Sequence, residues 1–193
     1  GKGQRGEEWC SEPGSNLMFS IILSASFIHH ENNFLLSKAV AIGINEVVEQ
    51  ETGKISFVKW PNDIYIDNKK IAGILIENQW KGNLLENAII GIGINVNQVD
   101  FDKLTEATSL RLVTGKDFII KEILKRVLIK IEDIINELIK GETDDLEKRY
   151  FDHLLYGDEY KMYRLNNGDI IEGKIIKVMS NGPVCPPIAV IAA

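Results

Sequence analysis

Three short runs concentrate the residues able to do chemistry. The first is Gly1-Lys2-Gly3-Gln4-Arg5-Gly6, a glycine-rich basic loop. Its free N–H groups, Lys2 and Arg5 suit an anion, and Trp9, three residues on, could stack on a flat ring or simply pack as a half-buried aromatic. The string formally fits G-x-G-x-x-G, but a dinucleotide loop must open a helix, and Glu7 to Gly14 carries Pro13 and Gly14 and leads into a strand. The second run, Lys59-Trp60-Pro61-Asn62-Asp63, ends a strand at a proline and brings Lys, Asn and Asp to one rim. By alternation Lys59 shares a face with Ile55 and Phe57, an apolar surface on which an ammonium needs a partner or must snorkel. Asn62 and Asp63 are also good turn formers. The third run is Ala88 to Asn97. Ala88, Ile90, Ile92, Ile94 and Val96 fall on one face, and Ile89, Gly91, Gly93, Asn95 and Asn97 on the other. Two glycines on one strand face, with Gly73 repeating the hint in Lys70 to Glu77, mean close approach by a ligand or by another chain segment.

The elements that must hold these runs follow from periodicity. Asn16 to Ser24 is a β-type run, and Ser37 is expected to cap a helix with the stripe Val40, Ile44, Val47, Val48, ended by Gly53. Ile55 to Trp60 reads as a strand. Ile64 to Ile66 pairs with Lys70 to Ile76 across Asp67-Asn68-Lys69, and Leu84 to Val96 supplies another strand. Asp117 to Lys140 is the strongest helix, with Ile120, Ile123, Leu124, Val127, Ile131, Ile134, Ile135 and Leu138 on one stripe. Tyr160 to Leu165 and Ile170 to Val178 form a second hairpin, separate from the first sheet. Hairpins with helices between them favour α+β over a doubly wound fold.

Composition sets the bounds. The 193 residues are 45% hydrophobic and 26% charged, enough for a core and unlike a disordered chain. A net charge of −6 argues against a general phosphate-backbone binder, so no nucleic-acid partner is expected. No apolar run approaches the ~20 residues of a membrane span, and residues 1–30 show no charged stretch followed by an apolar one, so neither a membrane-spanning nor a secreted protein is expected. Cys10 and Cys185 form no disulfide framework, and with the three histidines they offer neither a zinc set nor a nucleophile–base pair, which favours a cytoplasmic location.

GKGQRGEEW, KWPNDIY, KKIAGILIE and GIGINVN, in that order across residues 1–97, resemble the biotin protein ligase family. That resemblance implies an α+β fold with a mixed, largely antiparallel sheet and helices on one face, like the class II synthetases, followed by a partial SH3-like β-barrel. It divides the chain into a catalytic domain over 1–155, lacking its N-terminal part, and an incomplete SH3-like domain over 156–193. The sequence is accordingly expected to be a fragment. The family makes biotinyl-5'-AMP from biotin and ATP with Mg²⁺, then transfers biotin to a lysine of a biotin carboxyl carrier protein. The resemblance also allows a homodimer.

Carried over by motif, the catalytic residues are Lys70, Asp63 and Arg5. Biotin falls to Gly1, Lys2, Gly3, Gln4, Lys70 and Gly73, and ATP to Trp9, Lys59, Asn62 and Asn95. Asp63 would be the magnesium carboxylate. The chemistry is coherent, because a carboxylate attacking a phosphate brings two anions together and needs cations between them. Gln4 departs from the family arginine, which leaves a weaker phosphate contact or passes it to Arg5. The alternatives are a lipoate or octanoate ligase of the same fold and a non-catalytic nucleotide-binding module.

Overall fold

The computed structural model describes residues 1, 3, 9–101, 104, 106–164 and 168–180. Lys2, Gln4, Arg5 and Cys185 lie outside the described residues. Strands β1 (Leu17–Ser24), β2 (Phe57–Lys59), β3 (Asp63–Ile66), β4 (Lys69–Lys81) and β5 (Leu84–Ile94) form one sheet in the order β1-β5-β4-β3-β2. Every neighbouring pair in it is antiparallel, so the expected mixed character is confined to isolated parallel bridges such as Lys70 with Ala107. The β3–β4 turn is the two residues Asp67 and Asn68, both at positive φ, which Asn and Asp tolerate better than most side chains. Lys69 already belongs to the strand.

One face of the sheet is the core. Ala88, Ile90, Ile92, Ile94 and Val96 are all buried there, as the alternation predicts, together with Leu17, Ile64, Ile66, Ala72 and Ile74. Helix α1 (Leu35–Thr52) lies on that face and is covered on its far side by α3 (Ile120–Ile139) and α4 (Thr143–Asp152). Being sandwiched, α1 is buried nearly all round from Leu35 to Val48, Lys38 and Asn45 included, whereas α3 carries a single stripe with Ile123, Val127, Ile131, Ile134, Ile135 and Leu138 buried. Gly43 lets α1 meet α3 backbone to backbone: a Cβ there would stand 3.4 Å from the Cα of Ile131. The short helix α2 (Leu110–Thr114) opens at Ser109, whose hydroxyl accepts from the Leu112 N–H.

Two expectations change. Ser37 does not cap α1, which begins at Leu35 after Phe34 with no side-chain cap. The run 55–60 contributes only Phe57–Lys59, and its core-facing residues are Ser56 and Val58 at zero exposure, while Ile55 is 69% exposed. Lys59 is therefore on an open face, not an apolar one. The second hairpin is present as β6 (Lys161–Arg164) and β7 (Ile170–Gly173), a separate two-stranded sheet. The chain after it returns to α1: the Phe34 N–H donates to the Ser180 carbonyl at 2.9 Å. Lys38, fully buried, ties this return down by donating to the Val178 carbonyl at 2.7 Å and pairing with Glu147 of α4.

Candidate functional site

The face of the sheet turned away from α1 carries the site. Strand register aligns Met18, Gly93, Gly73, Asp63 and Lys59 as one row running across all five strands. A second row, Ser20, Gly91 and Leu75, lies beside it. The glycines make a floor, and the indole of Trp9 rests on it. A Cβ at Gly93 would come within 2.7 Å of Trp9 Cε2, and one at Gly73 within 2.9 Å of Trp9 Cζ3. At Gly91 a Cβ would meet only Leu75, at ordinary distance, so the floor stays open there. The two readings of the hollow face are thus both realised: a chain segment fills one part and a cavity occupies the rest. Trp9 is fixed at its own backbone by donating to the Gly1 carbonyl at 2.9 Å, and its indole Nε1 is buried without a partner among the described residues.

Lys70 reaches this face only because β4 is irregular. Strict alternation from Gly73 would put Ile71 on the open face and Lys70 in the core. Instead the β3–β4 register shifts between Ile64 and Tyr65, so Ile64 faces Ala72 and Tyr65 faces Lys70, with Ile71 as the extra residue. This β-bulge sends Ile71 inward, to zero exposure, and re-aims Lys70 outward. The Lys70 ammonium then sits 2.7 Å from Asp63 Oδ1 and 5.5 Å from the Trp9 ring centre. Cation, carboxylate and indole converge on one glycine, Gly73, whose missing Cβ would be 3.3 Å from Lys70 Cε and 3.4 Å from Asp63 Oδ1.

A cavity of about 1030 Å³ opens over this cluster, and Gly1, Gly3, Trp9, Asn62, Asp63, Lys70 and Gly73 all line it. Its far wall was not legible in the sequence: Asn33, Phe34 and Ser37 at the start of α1, and Glu77 and Asn78 on β4. Asn33, Phe34 and Ser37 are distant in the chain from every motif, and Glu77 and Asn78 stand at the end of KKIAGILIE with no spacing signal that turns them toward a site.

Two expected site residues stand elsewhere. Lys59 is not on the cavity wall. Its Nζ lies 3.2 Å from the Tyr65 hydroxyl and 4.8 Å over the Tyr65 ring. Partial burial pulls this ammonium down, but the Tyr65 hydroxyl bond, with Asp63 and Glu106 nearby, outweighs it and holds the group above its ordinary value. Asn95 is 4% exposed, and its side-chain amide donates to the Thr108 carbonyl at 2.9 Å. Asn62 does line the cavity, but its amide N–H donates to the Ile74 carbonyl, which closes the end of β3 onto β4.

Asp63 does not form a metal site by itself. One oxygen already holds Lys70, and no group of three His, Cys, Asp or Glu able to cage an ion occurs among the described residues. No helix among them is long and apolar enough to cross a membrane.

The chain that carries this glycine floor, indole and lysine–carboxylate pair is similar to known proteins. Residues 1–95 match the Biotin/lipoate A/B protein ligase family. The chain is 33% identical over 161 residues to the bifunctional ligase/repressor BirA of Bacillus subtilis, covering 81% of this chain and 45% of that protein. A biotin–protein ligase of Homo sapiens is 31% identical over 71% of this chain and 20% of its own length. The biotin protein ligase of Aquifex aeolicus, solved in complex with biotin and ATP, superposes with a TM-score of 0.78 at 30% identity, over 94% of this chain and 75% of that one. The chain belongs to the biotin protein ligase family. It spans about half the length of the Bacillus relative.

Proposed function

We propose that the protein activates biotin with ATP and passes it to a lysine of a biotin carboxyl carrier protein. In the first step a carboxylate oxygen of biotin attacks the α-phosphorus of ATP and pyrophosphate departs. In the second the carrier's lysine amine attacks the acyl carbon, AMP departs, and an amide remains. The observation that supports this reading most is the bulge-directed placement of Lys70 beside Asp63 under Trp9. An ammonium at that point offsets the repulsion between two approaching anions, and it acts more strongly where the indole and the glycine floor limit water. Asp63 keeps the ammonium in place until a ligand carboxylate or phosphate competes for it.

The open floor at Gly91 and the α1 wall give a flat bicyclic acid room to lie along the sheet. Lys2, Gln4 and Arg5, by their motif, would add contacts to biotin and the phosphate, and ATP would bring Mg²⁺ on its phosphates, for which Asp63, beside Lys70, would offer a carboxylate. Residues 156–193 are assigned to an SH3-like unit appended to the 1–155 catalytic domain. The protein is placed in the cytoplasm, with no nucleic-acid or membrane partner, and a homodimer is compatible with it. The test is biotin-dependent exchange of labelled pyrophosphate into ATP. Exchange with biotin but not with lipoate or octanoate is the expected result, and exchange driven by lipoate or octanoate alone would refute it.

A further inference from the structure

The α1 wall of the cavity is held from outside the helix. Helix α1 opens at Phe34 with no side-chain cap and no acidic residue in its first turn, although the first N–H groups of a helix have no partner inside it. The Phe34 N–H instead donates to the Ser180 carbonyl at 2.9 Å, while the Phe34 carbonyl accepts the Lys38 N–H at 3.0 Å. Residues 174–180 thus form a strap. It leaves the small sheet where Ile175, buried in the core, bridges to Gly157, and it ends as the cap of α1. Lys38 fastens it one turn into the helix. Its ammonium, fully buried, donates to the Val178 carbonyl at 2.7 Å, pairs with Glu147, and lies 5.9 Å from the Phe34 ring centre and 5.5 Å from that of Tyr150. Phe34 and Ser37 line the cavity, and Tyr150 backs Phe34 edge-on at 6.2 Å.

An apolar side chain of similar length would fill this space, and a buried ion pair ordinarily contributes little more to stability than such a replacement. What the ammonium adds is direction, because it selects one main-chain carbonyl of the strap and fixes Val178, and with it Ser180, at one height on α1. We infer that Lys38 is a positioning residue for the cavity: through the strap 174–180 it sets where the start of α1, and so the wall formed by Phe34 and Ser37, stands. The placement of the small sheet and the shape of the cavity are thereby coupled. The consequence for substrate binding rests on the biotin ligase reading, in which the acid lies against this wall; the consequence for geometry does not.

Lys38→Met tests this in two measurements. Glu147 is 30% exposed, so solvent takes the place of the lost ammonium and no charge is stranded. In the 193-residue chain the Phe34 amide should exchange about tenfold faster or more in Lys38→Met than in the parent, while Ile42 and Ile44 in the body of α1 keep their rates. Unchanged protection of Phe34 overturns the inference, whatever the activity. Equal acceleration all along α1 overturns it too, because Lys38 would then be a general stabiliser. Should Lys38→Met not fold, exchange on the unaltered chain in low urea decides. The Phe34 amide should open together with the β6–β7 pair and before Ile42, and a Phe34 amide that opens only with Ile42 overturns the inference.

The second measurement is the split between KM and kcat in pyrophosphate exchange by the active protein. Asp63 and Lys70 stand on β3 and β4 and not on α1 or the strap. Lys38→Met should therefore leave kcat within about twofold while raising the KM for biotin about fivefold or more, the lower end of ordinary coupling between two sites. An unchanged KM, with or without a lowered melting temperature, would overturn the inference and leave Lys38 a purely structural residue. A kcat that falls as far as in Lys70→Ala would overturn it by placing Lys38 in the reaction itself. Absence of any biotin-driven exchange in the parent would sink the ligase reading alone, and the Phe34 amide would still decide the inference.

Discussion

Replacing Gly93 by alanine places one methyl group under an aromatic ring. The new Cβ would stand 2.7 Å from Trp9 Cε2 and 3.0 Å from both Cδ2 and Cζ2. Carbon atoms settle at about 3.5–4.0 Å, so the indole must rise by roughly 1 Å. The rigid indole has no flexible end to give way. Overpacking of this kind costs about 1–3 kcal/mol, against which the reduced freedom of the unfolded chain returns about 0.4–1 kcal/mol. Gly91→Ala supplies the control, since its Cβ would meet the Leu75 carbonyl at 3.5 Å, an ordinary contact. The two variants should therefore differ by about 1–3 kcal/mol in urea-determined stability, or about 2–4 °C in Tm per kcal/mol for a chain of this size. A Trp9→Ala background should erase the difference. Trp9 emission, taken as the difference from a Trp9→Phe chain, should shift to the red in Gly93→Ala alone. Equal stabilities for Gly91→Ala and Gly93→Ala, or a difference that persists without Trp9, would refute the packing argument.

Lys70→Ala in the active protein should lower adenylate formation by about 10²- to 10³-fold, the range for a lost transition-state contact, with little change in the urea midpoint; a nearly unchanged rate would remove Lys70 from the reaction. Lys59→Ala should cost no more than about 1 kcal/mol, the value of an exposed cation–π contact, and should leave adenylation almost intact, because Lys59 faces Tyr65 and not the cavity; pyrophosphate exchange reduced as far as in Lys70→Ala would contradict this. Burial holds the Lys38 ammonium below its ordinary value of 10.5, against the pull of Glu147. Between that lowered value and 10.5 the unfolded chain carries the extra proton, so stability should rise with pH across the interval, and Lys38→Met should abolish the rise. Urea midpoints for both chains across that interval are the measurement, and a midpoint falling with pH in the parent relative to Lys38→Met would reverse the sign.

What the sequence disclosed followed from how strongly each element repeats. The stripe of α3 and the two faces of β5 are long enough to outweigh irregularities, and the Asp67-Asn68 turn has residues suited to positive φ. Period-two reading failed at Lys70, because a bulge leaves no mark in residue type: Lys-Ile-Ala-Gly-Ile alternates either way. The motif resemblance put Lys70 at the site where alternation alone would have buried it. Helix α4 escaped notice because it buries only Leu146 and Tyr150 among charged neighbours. The placement of Asn95 against Thr108 depends on a loop returning beside β4, a long-range pairing that no local pattern announces. The match of Trp9 to Gly73 and Gly93 is likewise a relation between three distant stretches, each conspicuous by itself but joined by no local pattern.

The strand order also implies a sequence in time. Strands β3, β4 and β5 follow one another directly and pair with their neighbours in the chain, so they can zip together with short loops. Strand β1 pairs only with β5, and that contact must close a loop containing α1 and the whole meander. Loop closure costs entropy that long-range pairs recover only after they form, so the β1–β5 seam should be the last part of the sheet to assemble. Substitutions at Ile21 or Leu23 should then accelerate unfolding while leaving the folding rate nearly unchanged, and substitutions at Ile74 or Ile92 should slow folding. Because β1 carries Met18 at one end of the row that holds Gly93, Gly73 and Asp63, the cavity acquires its outer wall only when this final seam closes.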